Sequence, residues 1–315
     1  MYIVCSTLPF REKALPEALR KLAHLGVKRV ELCVEPHHSI PEHWKEGPEQ
    51  ILRLVNRLGI KVNSIHVPLT QETSKISHDE LQRISTQQTQ KTIDLAAFCG
   101  ASFIVQHVRL LGNSMDLRQP PILAEIAPNL KEAARYAATK GVKLALENVP
   151  TSLARMLGAN PKEVMDVVNL LPPETVGVCL DVAHCVASGY DPLDALDSID
   201  IHRLVSIHAG DNFSNQLIDQ HLPIGSGDIP WEKLFDTLES HGFQGSFVIE
   251  VAEGEEKGKA LTDSLDYLRN LDRFVPNLKA SPMLDSRMPF SGRARKEVKG
   301  TADRKSFSKP LVTNT

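Results

Sequence analysis

The stretch that decides the fold is the opening one, Tyr2-Ile3-Val4-Cys5-Ser6-Thr7, which runs directly into Leu8-Pro9-Phe10-Arg11. The first six residues are apolar and β-branched enough to read as a buried strand. A doubly wound open sheet would follow such a strand with a Gly-rich phosphate loop. No glycine stands at that position, so another α/β architecture is required.

Outward from there the same grammar repeats. Strand-type runs occupy Tyr2–Thr7, Arg29–Val34, Lys61–His66, Ser102–His107, Lys143–Glu147, Val176–Asp181, Leu204–His208 and Ser246–Glu250. Amphipathic stretches separate them. Pro16–Leu25 carries Ala18, Leu19, Leu22 and Leu25 at helical spacing. Ser77-His78-Asp79-Glu80 has capping-box spacing for a helix running to Phe98. Asn160-Pro161 and Asp191-Pro192 pair an N-cap with a first-turn proline. Gly26, Gly59, Gly100, Gly141 and Gly242 fall where a helix must stop before the next strand. Trp231–His241 and Gly258–Phe274 supply the last two helices. Eight strand–helix units over about 275 residues predict an α/β fold, a (β/α)8 TIM barrel of residues 1–276. Residues 277–315 lose all periodicity and read as a disordered basic C-terminal tail.

Composition narrows the class further. Hydrophobic residues at 42% and charged residues at 24% exclude a collagenous, low-complexity or wholly disordered chain. Five cysteines form no C-x-x-C pair and are odd in number, which argues against a disulfide framework and for a reducing compartment. The N-terminus lacks the basic region of a secretory signal. No apolar run reaches the roughly 18–20 residues of a membrane span. A cytoplasmic protein without a membrane partner is expected, and barrels of this size lead us to expect a homodimer. The tail carries nine Lys/Arg against three Asp/Glu, so the body is left with 27 basic and 36 acidic residues, a net of −9. That acidity disfavours a nucleic-acid partner unless bound cations offset it.

The chemistry gathers at the strand ends. Successive strands finish on His66, His107, Glu147, Asp181 (with His184 just beyond), His208 and Glu250, and Asp219 and His221 lie in the loop after the seventh strand. A barrel brings all of these to its C-terminal rim. So many imidazoles and carboxylates in one place are costly to desolvate without cations among them. They are donors suited to a divalent metal such as Mn2+, Mg2+ or Zn2+. Glu147, Asp181, His208 and Glu250 are the core ligand candidates. His66, His107, His184, Asp219 and His221 are either further ligands or hydrogen-bond partners of a polar substrate.

The segments SIHVPL, VQHV, LALENV, CLDVAH, SIHAGDN, DQHLPIGSGDIPW and FVIEV resemble the xylose-isomerase-like TIM-barrel superfamily, which joins sugar isomerases and epimerases with endonuclease IV. The resemblance runs from Tyr2 to about Phe274. Its epimerase branch implies one Mn2+ or Mg2+ on Glu147, Asp181, His208 and Glu250, with His184 touching substrate. Its endonuclease IV branch implies three zinc ions on all nine residues. There Glu147 would bridge two ions, with His66 and His107 completing the first site and Asp181, His208 and Glu250 the second. His184, Asp219 and His221 would hold the third.

Two activities follow. In a sugar or polyol isomerase or epimerase, the reading the sequence favours, Glu147 and Glu250 are the catalytic pair that removes and returns a proton α to a carbonyl. In the alternative, a zinc-dependent phosphodiesterase acting at abasic sites, nucleic acid becomes the partner. The chain departs from both patterns. It has Leu153 and Ser214 where ketose 3-epimerases carry a substrate-binding Glu and Arg, and it lacks the His- and Gly-rich opening of endonuclease IV. His66, His184, Asp211 and Arg109 are expected to contact substrate. Asp211 and Asn212 are also placed to orient His208. Glu35, His37 and His38 fall near the mouth, Cys185 reads as a buried thiol, and Trp231 as a packing residue.

Overall fold

The computed structural model describes residues 1–33, 47–68, 78–108, 123–151, 158–252 and 258–271. The strands are β1 (Tyr2–Ser6), β2 (Arg29–Cys33), β3 (Lys61–His66), β4 (Phe103–His107), β5 (Lys143–Glu147), β6 (Val176–Asp181), β7 (Leu204–Ala209) and β8 (Ser246–Ile249). They pair in parallel and in sequence order, and β1 pairs with β8 to close the barrel. Between and after them run α1 (Leu15–His24), α2 (Gly47–Leu58), α3 (His78–Cys99), α4 (Leu123–Thr139), α5 (Pro161–Asn169), α6 (Val182–Ala187), α7 (Pro192–Asp197), α8 (Trp231–Ser240) and α9 (Lys259–Asn270).

The chain is a TIM barrel, as the strand pattern predicts, and the differences lie at element ends. Thr7 leaves β1 because its backbone turns into the helical region to start the short 3-10 turn Leu8–Phe10. Its hydroxyl then accepts the Cys33 N–H at 2.9 Å. Two of the expected caps form: Asn160 accepts from Lys162 N–H at 3.0 Å and Asp191 from Leu193 N–H at 2.7 Å. Gly26 and Gly100 close α1 and α3 at φ +83° and +70°, the left-handed conformation a side chain would disfavour. Met1–Lys279 makes one compact unit. The tail expected at 277–315 lies outside the described residues, as do Glu35, His37, His38, the expected cap Ser77, Arg109 and Leu153. Among the described residues no helix is long and apolar enough to cross a membrane.

Strand parity positions the site. Ile104, Leu144, Leu146, Val178, Leu180, Ile207 and Phe247 point outward into the main core shared with the helices. Phe103, Val105, Ala145 and Cys179 form a separate small cluster inside the barrel. Because successive side chains alternate faces, the residues two positions past that inner layer crown it: His107, Glu147 and Asp181. Trp231, Phe235 and Phe247 pack as an aromatic group with ring centroids 5.2–6.0 Å apart.

Candidate metal centre at the barrel mouth

Glu147 is fully buried at the end of β5, and its two oxygens serve different neighbours. Oε2 lies 2.9 Å from His66 Nε2 and 2.9 Å from His107 Nε2. Oε1 lies 2.9 Å from His208 Nδ1, which in turn stands 2.6 Å from Glu250 Oε2. A third set sits beside these. His184 Nε2 and His221 Nε2 are 3.2 Å apart, and Asp219 Oδ1 is 3.1 Å from His221 Nε2. Asp181 Oδ2 is 3.9 Å from His184 Nδ1 and 4.0 Å from His221 Nε2.

Local structure holds the rings in set orientations. His66 Nδ1 donates to Val67 O at 2.8 Å, His184 Nδ1 to Asn148 O at 2.8 Å and His221 Nδ1 to Glu250 O at 2.9 Å. A backbone carbonyl on Nδ1 fixes the tautomer and leaves Nε2 as the lone-pair donor. Asp181 divides its work: Oδ1 caps α6 by accepting the His184 N–H at 2.7 Å, and Oδ2 is left facing the cluster. Asn148 clamps the Asp181 backbone on both sides, accepting its N–H at 2.8 Å and donating to its carbonyl at 2.9 Å.

The electrostatics show how strongly these groups depend on each other. Burial opposes charge on His66, but the hydrogen bond and charge of Glu147 outweigh it and raise the ring to about 9. His107, on the same oxygen, stays lowered because burial wins there. Burial also opposes His184, which Asp181 and Asp219 nevertheless raise to about 9. His221 is held well above the usual range by Asp219 and Asp181, again against burial. Burial pushes Asp181 upward. Glu250 falls to about 2, because the neighbouring His208 outweighs its burial.

The donor set fits a divalent ion. Among the described residues, four groups have donor atoms within 4.8 Å of one another: His66, His107 and Glu147; Glu147, Asp181, His208 and Glu250; Asp181, His184 and His221; and Glu147, Cys179 and His208. Glu147 Oε1, Asp181 Oδ2, both His208 ring nitrogens, Asp219 Oδ1 and Glu250 Oε2 are buried and lack an aligned hydrogen bond. They approach one another or His221 Nε2 at 2.6–4.0 Å without forming hydrogen bonds. Buried polar atoms facing one another without donors are costly, and a cation between them removes that cost. Imidazole with carboxylate is a zinc or manganese set.

All nine strand-end and loop residues singled out in the sequence therefore come together. Asp211 is placed differently from expectation. It is fully buried, and its carboxylate accepts from Asn212 N–H (2.9 Å), Ile229 N–H (3.2 Å), Gly225 N–H (2.9 Å) and Trp231 Nε1–H (2.8 Å). With four donors it fastens the 222–231 segment and has little capacity left for substrate. Asn212 holds the main chain of His221, whose backbone N–H its Oδ1 accepts at 3.0 Å, instead of orienting His208. Trp231 packs as expected, and its indole N–H also ties it to Asp211. Ser214 is used up on Asp228, to which its N–H and hydroxyl both donate at 2.8 Å. Cys185 is a buried thiol donating to Asp181 O at 3.2 Å.

Glu31 was not foreseen. It is fully buried inside β2, with Oε1 3.1 Å from His208 Nε2. A charge between the outward-facing Val30 and Leu32 of a parallel strand was the available signal, since such strands are ordinarily apolar on both faces.

Fold and mouth together define a (β/α)8 protein with a buried imidazole–carboxylate centre at the C-terminal end of its strands. The pattern of the xylose isomerase-like TIM barrel family matches residues 19–271, and the chain belongs to that family. A probable endonuclease 4 of Thermoplasma volcanium is 26% identical over 242 residues, covering 72% of this chain and 81% of that protein. Among solved structures, a D-tagatose 3-epimerase-like protein superposes with a TM-score of 0.69 at 21% identity, over 87% of this chain and 100% of that one. The IolI protein with a bound zinc atom gives 0.68 at 18% identity, over 90% and 100%.

Proposed function

We infer that the protein is a zinc-dependent phosphodiester hydrolase with a multinuclear centre. The observation that carries this is the division of labour on Glu147. One oxygen faces His66 and His107 and the other faces His208, the arrangement of a carboxylate shared by two ions. A one-ion enzyme needs only Glu147, Asp181, His208 and Glu250, and gives no reason for three further imidazoles locked by backbone carbonyls with Nε2 turned inward. His66, His107 and Glu147 would hold one ion. Glu147, Asp181, His208 and Glu250 would hold a second, and His184, Asp219 and His221 a third beside Asp181. Zinc supplies Lewis acidity that brings water toward ionisation at neutral pH and offsets charge on phosphoryl oxygens. The protein's part is to fix the donors before substrate arrives, so that little reorganisation remains at the moment of reaction. The curated relatives named endonuclease 4 support the same reading.

A second reading, sugar or polyol epimerisation, has its own observation. Glu147 Oε1 and Glu250 Oε2 flank one ring nitrogen of His208, so two carboxylates are available to take and return a proton across a single bound substrate. The epimerase-like structural neighbours accord with it.

Metal content per chain, with chelator-sensitive cleavage of an abasic-site duplex, separates the two. About three zinc ions and strand cleavage are expected. One exchangeable Mn2+ or Mg2+, no cleavage, and proton exchange into a ketose would overturn the hydrolase reading in favour of the epimerase.

A further inference from the structure

His66, His184 and His221 each have Nδ1 held by a backbone carbonyl, which turns Nε2 toward the cluster. His208 is the other way round. Its Nδ1 faces Glu147 and Glu250, and no carbonyl meets Nε2; the atom facing it is Glu31 Oε1 at 3.1 Å. Among the described residues neither Nε2 nor that oxygen has an aligned hydrogen bond, so the 3.1 Å approach is an ion-pair contact and each atom is otherwise unpartnered. The other Glu31 oxygen is firmly anchored: Ser64 Oγ donates to Oε2 at 2.6 Å, and the Asn63 amide donates to Ser64 Oγ at 3.3 Å. The register explains the placement. Val30 pairs with Val62 but Glu31 pairs with Ser64, an irregularity that skips Asn63 and sets the hydroxyl beside the carboxylate.

We propose that Glu31, braced by Ser64, is the positioning residue that keeps the proton of His208 on Nε2 and so presents Nδ1 as the donor to the metal centre. A neutral imidazole has one N–H and one lone pair. Three carboxylates surround this ring, and only the one on the Nε2 side lies away from the cluster. A carboxylate behind a ligating histidine also raises the basicity of its donor nitrogen. Glu31 touches neither substrate nor the ion; it acts through His208. The inference rests on the metal-centre reading above, and its test has an arm that does not.

The experiment compares the full-length wild type with Glu31→Gln, Glu31→Ala and Ser64→Ala, using Co2+ as the probe. Glu31→Gln keeps the shape and guards against a variant that merely fails to fold, which a melting curve checks. Removal of a carboxylate behind a metal-bound histidine typically costs about 10–100-fold in affinity. We expect a loss of that size for Glu31→Ala, about tenfold for Glu31→Gln, and a smaller one for Ser64→Ala, with altered Co2+ absorption bands. In the metal-free protein, at a pH high enough for the His208 ring to be neutral, its 15N shifts should place the proton on Nε2 in the wild type, with the preference lost in Glu31→Ala. Folded Glu31→Gln with wild-type Co2+ affinity and spectrum would overturn the inference, as would a wild-type ring whose Nε2 is bare. A wild type that takes up no Co2+ would sink the metal centre itself, and the tautomer measurement would then decide Glu31 alone.

Discussion

The Nε2 atoms of His184 and His221 face each other across 3.2 Å, while each ring's Nδ1 is committed to a main-chain carbonyl. Two lone pairs so placed repel unless a proton or an ion lies between them. Both rings are raised by Asp181 and Asp219 against their burial, so without metal the surrounding carboxylates favour their protonated forms.

Zinc uptake by the chelated protein should therefore release protons near pH 7, because His66 and His184, both at about 9, must give theirs up to bind. Calorimetry in buffers of different ionisation enthalpy measures the number. Release near zero would contradict the electrostatics described above.

The same shifts set a stability profile. A histidine raised from 6.5 in the unfolded chain to about 9 in the fold stabilises fully below 6.5. Between 6.5 and about 9 the folded state binds more protons, so stability falls as pH rises through that range. Melting temperature of the metal-free protein should decline between those pH values, whereas the zinc-loaded protein should show a flatter profile. A metal-free profile that rises over that window would refute the assignment.

Replacing Asp219 and His221 together by Ala removes donors from one set only. Zinc content should drop by about one ion per chain, and hydrolysis by a hundredfold or more on the order of other metal-site losses. Unchanged zinc content would show that these residues serve substrate instead.

Gly210 sits where a Cβ would come 2.6 Å from Glu250 O and 2.9 Å from His221 Nδ1, the two partners of one hydrogen bond. Gly210→Ala should disturb that bond and weaken zinc binding by about tenfold, within the range seen when such supporting contacts are lost. Equilibrium competition with a chromophoric chelator reads the change.

Asp211→Ala would leave four buried or half-buried N–H groups without an acceptor. About 3 kcal/mol or more of stability should go, a fall of roughly 6–12 °C in Tm. Trp231→Phe removes one of the four donors and should cost about 1 kcal/mol. Equal losses in the two variants would count against the bracket.

Much of this was readable from the chain. The strand-final His66, His107, Glu147 and Asp181 follow from parity, since a polar residue two steps past an inward apolar one must crown the barrel. What escaped the reading depends on contacts between strands that lie far apart in sequence. Glu31 is mid-strand, and only its closeness to His208, across the barrel, gives it meaning. Asp211 looked available because three of its four donors, on Gly225, Ile229 and Trp231, lie 14, 18 and 20 residues further on along a path no local pattern encodes. The strand end at Thr7 moved by one residue because its backbone turns into the helical region, and that at Glu250 because its carbonyl accepts from the distant His221 ring.

Strand β1 lends no side chain to the centre, yet β8, which leads into Glu250, is secured on one side only by pairing with β1. The ions proposed above would be held by donors of β3 to β5 and of β5 to β8, so metal would join one arc of the ring and leave the β1–β8 seam to backbone pairing. Uptake during refolding would then report assembly of that arc and not closure of the cylinder.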